Sequence, residues 1–150
     1  MNIRNSARAF ILNENNEILL QRFEFSFTGK VKILWVTPGG GVEEGESEKQ
    51  ALERELFEEL GLHIDVKGES ILMLDIPFDG KWGKFISHEV YYVVQIPKNT
   101  PFSLENMEEG EKKTFHNLQW WKLEELKKTK NEFEPRDEII KFMENTTSRK

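Results

Sequence analysis

Three glutamates lie close together in one short stretch of this chain, at Glu55, Glu58 and Glu59. The surrounding apolar residues recur with helical spacing, and we predict a helix from Glu48 to Leu60. At about 100° per residue, the three carboxylates fall within a single arc of the helix surface. Because like charges three or four residues apart each cost about 0.2–0.5 kcal/mol, this arrangement requires either solvation or a compensating cation.

A glycine turn directly before this helix favours the cation. Pro38 and the glycines Gly39, Gly40 and Gly41 leave an open backbone that a metal ion or a phosphate can approach. Carboxylate oxygens are hard ligands, which suit Mg²⁺ or Mn²⁺ better than Zn²⁺. The alternative is a solvated, glutamate-rich helix face. The turn, the acidic cluster and the nearby Arg54 together favour a metal site.

The composition limits the classes of function. The chain has 150 residues, with 27 acidic and 21 basic side chains and a net charge of −6. This balance argues against broad binding to nucleic acid or anionic membranes, and allows a phosphorylated ligand only if a cation masks the repulsion. The absence of cysteine excludes thiolate chemistry. We expect one domain over residues 1–150, and a cytoplasmic location because no segment resembles a signal peptide or a membrane span.

The order of the elements predicts an α/β protein. Two hairpins are expected, one from "ARAFIL" and "EILLQRF" across "NENN", the other from "SILMLDIPF" and "FISHEVYYVVQI" across "DGKWGK". We also predict a strand at "HIDV" and a polar loop at "FSFTGKVK". A closing helix is expected in "PRDEIIKFMEN", with a frayed tail over residues 145–150.

The stretch around the acidic helix resembles a known family signature. It matches the Nudix box, G-x5-E-x7-R-E-U-x-E-E-x-G-U, where U is a bulky aliphatic residue. The defined positions are filled without a gap by Gly40, Glu46, Arg54, Glu55, Leu56, Glu58, Glu59, Gly61 and Leu62. The resemblance implies the Nudix fold, an α/β/α sandwich with a mixed β-sheet.

The resemblance also implies an activity and a set of metal ligands. Nudix enzymes hydrolyse a nucleoside diphosphate linked to another moiety, with Mg²⁺ or Mn²⁺ as cofactor. It implies that Glu55, Glu58 and Glu59 bind the cations, with the carbonyl of Gly40 as a further ligand. It also implies that Arg54 orients the glutamates through salt bridges. Glu46 is expected to brace the loop against the helix.

Other residues are candidates for proton transfer and for substrate binding. Within the resemblance, the general base is Glu55, Glu111 in the acidic loop, or Glu89 in "SHEVYY". The last two have plainer alternatives, as a solvated loop residue and as an outward strand residue. Predicted substrate contacts are the glycine turn Gly39–Gly41, Glu89, Arg22 for phosphate, and Trp82, which could stack on a base.

The sequence leaves the substrate open. Pro77 lies fifteen residues after the box, as in some ADP-ribose-cleaving relatives, but strand ends often carry proline. The expected partner is a small nucleotide-type diphosphate such as a nucleoside triphosphate or ADP-ribose; an RNA 5′ end and a homodimer stay open. The alternatives to a hydrolase are an isomerase on the same fold and a non-catalytic nucleotide sensor.

Overall fold

The computed structural model describes residues 2–27, 29–80, 83–103 and 115–148. In chain order, the elements within these ranges are β1 (Asn2–Leu12), β2 (Ile18–Phe27), β3 (Lys30–Val36), β4 (Gly39–Gly41), α1 (Glu48–Leu60), β5 (Leu72–Gly80), β6 (Gly83–Gln95), β7 (Phe115–Trp121), α2 (Leu123–Lys128), β8 (Glu132–Glu134) and α3 (Arg136–Ser148).

These elements are distributed over two compact units. The first consists of the described residues within Met1–Ala9, Pro38–Val94 and Phe102–Asn106. The second consists of those within Phe10–Thr37, Gln95–Pro101 and Met107–Lys150.

The first unit carries the acidic helix and the glycine turn. Its strands follow the order β5, β6, β1, and β4 also pairs with β1. β5 and β6 form an antiparallel hairpin from Leu72 opposite Tyr91 to Gly80 opposite Gly83, which confirms the second predicted hairpin. The short strand β4 pairs antiparallel with β1, so that Arg8 lies opposite Gly39 and Ser6 opposite Gly41. The glycine turn is therefore fixed to β1 by backbone pairing.

The second unit has a mixed sheet. β2 pairs antiparallel with β3 and with β7, whereas β3 pairs parallel with β8. The end of β1 pairs with the start of β2 through Leu12 and Ile18, which confirms the first predicted hairpin. The buried side chains include Trp35 and Trp121, whose rings meet edge to face with centroids 5.2 Å apart. Such aromatic pairs add to the stabilisation that burial alone provides.

Two element predictions were wrong, and α3 continues to Ser148, into the tail that was predicted to be frayed. The segment "FSFTGKVK" is not a polar loop, because β2 runs to Phe27 and β3 starts at Lys30. Apolar and polar residues alternate on both sides of Gly29, which is the period of a strand, and Gly29 has the positive φ of 79° that a tight turn uses. No strand forms at "HIDV", where the Val66 N–H donates to Glu53 Oε2 of α1 at 2.8 Å.

Among the described residues, no helix is long and apolar enough to cross a membrane.

Candidate active site

Helix α1 forms with the predicted bounds because both of its ends are capped. Ser47 Oγ accepts a hydrogen bond from the Gln50 N–H, and Gln50 Oε1 accepts one from the Ser47 N–H. This reciprocal pair satisfies backbone donors that the first helical turn leaves without partners. Gly61 ends the helix with a left-handed φ of 72°. The helix therefore presents its acidic residues in a fixed register.

The apolar ridge of α1 is fully buried and orients the acidic residues. Leu52, Leu56 and Leu60 have no exposed surface. On the neighbouring arc, the side chain of Glu55 is 14% exposed and that of Glu58 is 32% exposed. Both carboxylates are thus close to the surface of the unit, where a soluble ligand can reach them.

Glu59 does not share this exposure. It is only 1% exposed, and its Oε1 accepts a hydrogen bond from the Gly39 N–H at 3.0 Å. A buried carboxylate is tolerated when it receives hydrogen bonds of this kind. The carboxylate thereby ties the last turn of α1 to the start of the glycine turn.

The glycine turn requires residues without side chains. Gly39 has a φ of 141°, and a Cβ there would collide with the backbone of Ala7 and Arg8 on the paired strand. At Gly40, a Cβ would lie 2.5 Å from the carboxyl carbon of Glu55 and 2.7 Å from both of its oxygens. The Glu55 carboxylate therefore lies directly against the backbone of Gly40.

Arg54 connects the turn, the loop and the helix. Its Nε and Nη2 contact both oxygens of Glu46 at 2.8 and 3.0 Å, and Nη2 also donates to the Gly41 carbonyl at 2.9 Å. Its Nη1 lies 3.0 Å from Glu55 Oε1 and 3.4 Å from Glu58 Oε2. The predicted brace by Glu46 and the predicted ion pairs of Arg54 are both present.

These contacts shift the pKa values of Glu46 and Arg54. Hydrogen bonding to Arg54 lowers the pKa of the Glu46 carboxyl below its ordinary value. In turn, hydrogen bonds to Glu46 and then to Glu55 raise the pKa of Arg54 above its already high value. Arg54 is therefore a fixed positive charge, and the Glu46 carboxyl beside it is held in its ionised form.

The donor set fits a hard divalent cation. Glu55 and Glu58 already converge on one positive charge, and the backbone of Gly40 lies against Glu55. Within the described ranges, no three acidic or histidine side chains form a ready metal cluster. Mg²⁺ does not require one, because it is commonly bound by one or two carboxylates and keeps waters and substrate phosphate oxygens as its other ligands.

Replacing Gly40 by alanine should test the contact with Glu55. The new Cβ would displace the Glu55 carboxylate, and because that carboxylate is the end of a flexible side chain, we expect little loss of thermal stability. We expect kcat/KM to fall at least about tenfold, since small misplacements of catalytic groups have large effects. The measurement is steady-state kinetics together with a melting curve.

The matched comparison for that variant is Gly41→Ala. A Cβ at Gly41 would approach nothing closer than the Asn5 carbonyl oxygen, at 4.0 Å. Equal losses at Gly40 and Gly41 would attribute the effect to the stiffer backbone and contradict the proposed contact.

Glu89 is buried in the first unit and is not an outward strand residue. Its Oε1 accepts a hydrogen bond from the Tyr91 hydroxyl at 2.8 Å and pairs with Arg8 Nε at 3.3 Å. Its Oε2 accepts a hydrogen bond from the Ser87 hydroxyl at 3.0 Å. Glu89 and Arg8 line a cavity that Gly41 also lines, so Glu89 faces the region of the glycine turn.

The other predicted site residues belong to the second unit or fall outside the described residues. Arg22 is on β2 of the second unit, where its Nη1 donates to Glu24 at 3.1 Å. Glu111 and Trp82 fall outside the residues that the structure describes. Their roles stay predictions.

Arg8 was missed by the sequence interpretation. Nothing in "NSARAFIL" marks this arginine as different from a solvated strand residue. Only the pairing of β1 with β4, and the position of β1 beside β6, bring it to the glycine turn and to Glu89. The position of Arg8 depends on pairing between strands that are distant in the sequence, which a local sequence pattern does not show.

Comparisons with known proteins bear on the family and the fold of the chain. The model of the NUDIX domain family matches residues 2–142. Similar solved structures include a MutT protein from Methanosarcina mazei Go1, with 23% identity, 97% coverage of this chain, 96% coverage of that chain and a TM-score of 0.65. A MutT NUDIX hydrolase from Burkholderia pseudomallei has 20% identity, coverages of 94% and 98%, and a TM-score of 0.69.

A further similar structure is the solution structure of the E. coli ORF135 protein. It has 25% identity, covers 99% of this chain and 91% of that chain, and has a TM-score of 0.59. No curated protein sequence matched the chain. The solved structures below 25% identity show a common fold with this chain.

Proposed function

This chain belongs to the NUDIX family and is a Nudix hydrolase, and from this premise we propose that it cleaves a nucleoside diphosphate linked to another moiety in a Mg²⁺- or Mn²⁺-dependent reaction. The family and its α/β fold, both predicted from the sequence, are confirmed. Nudix proteins in general are pyrophosphohydrolases of nucleotide-type substrates. The metal, the substrate class and the roles of individual residues are the proposal.

One observation carries the proposal. The carboxylates of Glu55 and Glu58 converge within 3.0 and 3.4 Å of one guanidinium nitrogen, at a position where the Gly40 backbone also lies against Glu55. This is a concentration of hard oxygen donors beside an open turn. A divalent cation bound there would neutralise diphosphate oxygens and make an adjacent water more acidic.

The residues of the chain would position these donors. Glu55, Glu58 and the Gly40 carbonyl are the proposed ligands, and Glu59 is retained as a ligand in the proposal although it contacts Gly39 here. Arg54 would act as a positioning residue, because it holds Glu55, Glu58 and the Gly41 carbonyl through one rigid, planar group.

Several sequence predictions are carried forward in the same proposal. Arg22 and Trp82 stay predicted substrate contacts, together with the amides of Gly39–Gly41. The proton acceptor stays a prediction among Glu55, Glu89 and Glu111. A cytoplasmic location, a homodimer and the acceptance of an RNA 5′ end are likewise predictions.

A phosphate-release screen tests the proposed reaction. The screen covers nucleoside triphosphates, ADP-ribose, dinucleoside polyphosphates and capped RNA, each with Mg²⁺ and with Mn²⁺. We expect release from at least one nucleotide-type compound, at a rate that depends on the metal. Binding of these compounds without any turnover would contradict the proposal and favour the nucleotide sensor.

A further inference from the structure

A cavity of about 600 Å³ opens in the first unit beside the glycine turn. Two strands contribute most of its lining, which includes Arg4, Ser6 and Arg8 of β1, together with Ile3 and Asn5, and Phe85, Ser87 and Glu89 of β6. Because successive side chains of a strand point to opposite faces, each alternating set of three lies on one face of its strand. Gly41 lines the same cavity, so the cavity adjoins the turn that contacts the acidic helix.

The most unusual group in this cavity is the carboxylate of Glu89. Its side chain is 8% exposed, and three donors surround it, from Tyr91, Ser87 and Arg8. An ionised carboxylate only accepts hydrogen bonds, and each of its oxygens can accept two. Oε1 receives a hydroxyl and a guanidinium, whereas Oε2 receives one hydroxyl from the described part of the chain. Oε2 therefore has capacity for one donor from a ligand in the cavity.

If Glu89 served only as the ion-pair partner of Arg8, it would not need hydrogen bonds from two hydroxyl groups. Ser87 and Tyr91 stand two residues before and after Glu89 on the same strand face, and each fixes a different oxygen. The carboxylate is thereby held in one orientation before a ligand arrives. Preorganised acceptors of this kind discriminate between ligands that offer a donor and ligands that offer a carbonyl oxygen.

Three of the lining residues, Arg4, Phe78 and Phe85, form a stack of planar groups. The rings of Phe78 and Phe85 lie nearly parallel, with an interplanar angle of 11° and centroids 5.1 Å apart. The guanidinium of Arg4 lies 4.2 Å from the centroid of Phe85. Phe78 is 42% exposed although it is large and apolar. A flat heterocycle that extends this stack would cover exposed apolar surface, as bases do on aromatic side chains.

We propose that Glu89 is a specificity-determining residue that selects a nucleobase carrying an exocyclic amine, as in cytosine, adenine or guanine, over uracil. The inference rests on the proposed nucleotide-type substrate. An amine donates to a carboxylate, as in the pairing of acidic side chains with the cytosine N4 amine. The only ring donor on the pairing edge of uracil is flanked on both sides by carbonyl oxygens, which the carboxylate repels. In this proposal Glu89 contacts the base of the substrate.

CTP and UTP form the discriminating pair of probes, because cytosine and uracil have nearly the same size and differ at this edge. For the wild-type protein with Mg²⁺, we expect kcat/KM for CTP to exceed that for UTP by at least about tenfold. Glu89→Gln should bring the ratio close to one, because the glutamine amide can donate to the uracil carbonyl.

The matched control is Asp75→Asn, the same acid-to-amide change on the neighbouring strand. Asp75 lies opposite His88, on the strand face away from Glu89, and its side chain is 69% exposed. We expect it to leave the CTP to UTP ratio unchanged. If Glu89→Gln lowers both rates equally, or if the wild-type protein does not prefer CTP, Glu89 is a structural tie for Arg8 and the inference is overturned.

Binding of CMP and UMP separates this inference from the proposed reaction. Titration calorimetry on the wild-type protein needs neither turnover nor a folded variant, and we expect CMP to bind at least about tenfold more tightly than UMP. If no nucleotide is hydrolysed but CMP is preferred, the proposed function fails while the recognition site stands. If hydrolysis occurs and CMP and UMP bind equally, or if neither binds, the recognition site is refuted.

Discussion

Glu58→Gln is expected to lower kcat by about 10²–10³-fold, the loss that follows removal of one preorganised electrostatic group from an active site. The substitution keeps the size and shape of the side chain and removes its negative charge. Glu58 is one third exposed and contacts Arg54 at 3.4 Å, so its charge is available to a cation at the surface of the unit. A neutral amide would bind a divalent cation weakly and would leave the diphosphate charge less well compensated.

The variant should fold normally, and this separates a catalytic effect from a structural one. The fold of α1 depends on its buried leucines and its caps, none of which involves Glu58. A melting temperature close to that of the wild-type protein is therefore expected. Glu124→Gln, at an exposed position of α2, is the matched control and should retain full activity. Wild-type turnover by Glu58→Gln would remove Glu58 from the proposed site.

Removal of divalent cations should have the second large effect. In excess EDTA, we expect hydrolysis to fall to the background rate, and added Mg²⁺ or Mn²⁺ should restore it. The physical reason is that the carboxylates of Glu46, Glu55 and Glu58 all contact the single positive charge of Arg54. Without a metal, this cluster carries excess negative charge and would repel an anionic substrate. The measurement is phosphate release against free metal concentration.

The fold should survive the chelator, because Arg54 already pairs with the surrounding carboxylates. A melting curve in EDTA is the control, and added Mg²⁺ should raise the melting temperature by an amount that depends on its concentration, as for any ligand of the native state. Undiminished hydrolysis in EDTA would contradict metal dependence. Loss of the folded state in EDTA would assign the metal a structural role instead.

The helix and its ion pairs could be predicted because their signals are local. The bounds of α1 follow from Ser47, Gln50 and Gly61 acting within one turn of the helix ends, and from leucines at helical spacing. The contacts of Arg54 with Glu55 and Glu58 follow from neighbouring positions on the same helix. Local spacing alone was sufficient for these features.

The features of the site that were not predicted depend on pairing between segments that are distant in the sequence. Glu59 was predicted to share the exposed face with Glu55 and Glu58, yet it is buried against Gly39. That contact exists because β4 pairs with β1 and brings the glycine turn under the last turn of α1. A helical wheel places Glu59 within the acidic arc and has no information about what packs beside it.

Local sequence pattern also did not show which face of a strand a given side chain occupies. Glu89 lies on the same face as Ser87 and Tyr91, and this face became known only once β6 had its neighbours. The turn at Gly29 was mistaken for a longer loop because lysines and a serine alternate with apolar residues there. Alternation of apolar and polar residues indicates a strand, but the polar residues of this pattern were interpreted as part of a loop.

The most direct test of the central claim is to locate the cation. Crystals of the protein grown with Mn²⁺ would show the ion by anomalous scattering, without any assumption about the substrate. We predict a peak between the carboxylates of Glu55 and Glu58, beside the Gly40 carbonyl oxygen. A fully occupied Mn²⁺ elsewhere, with no ion between these two carboxylates, would contradict the account.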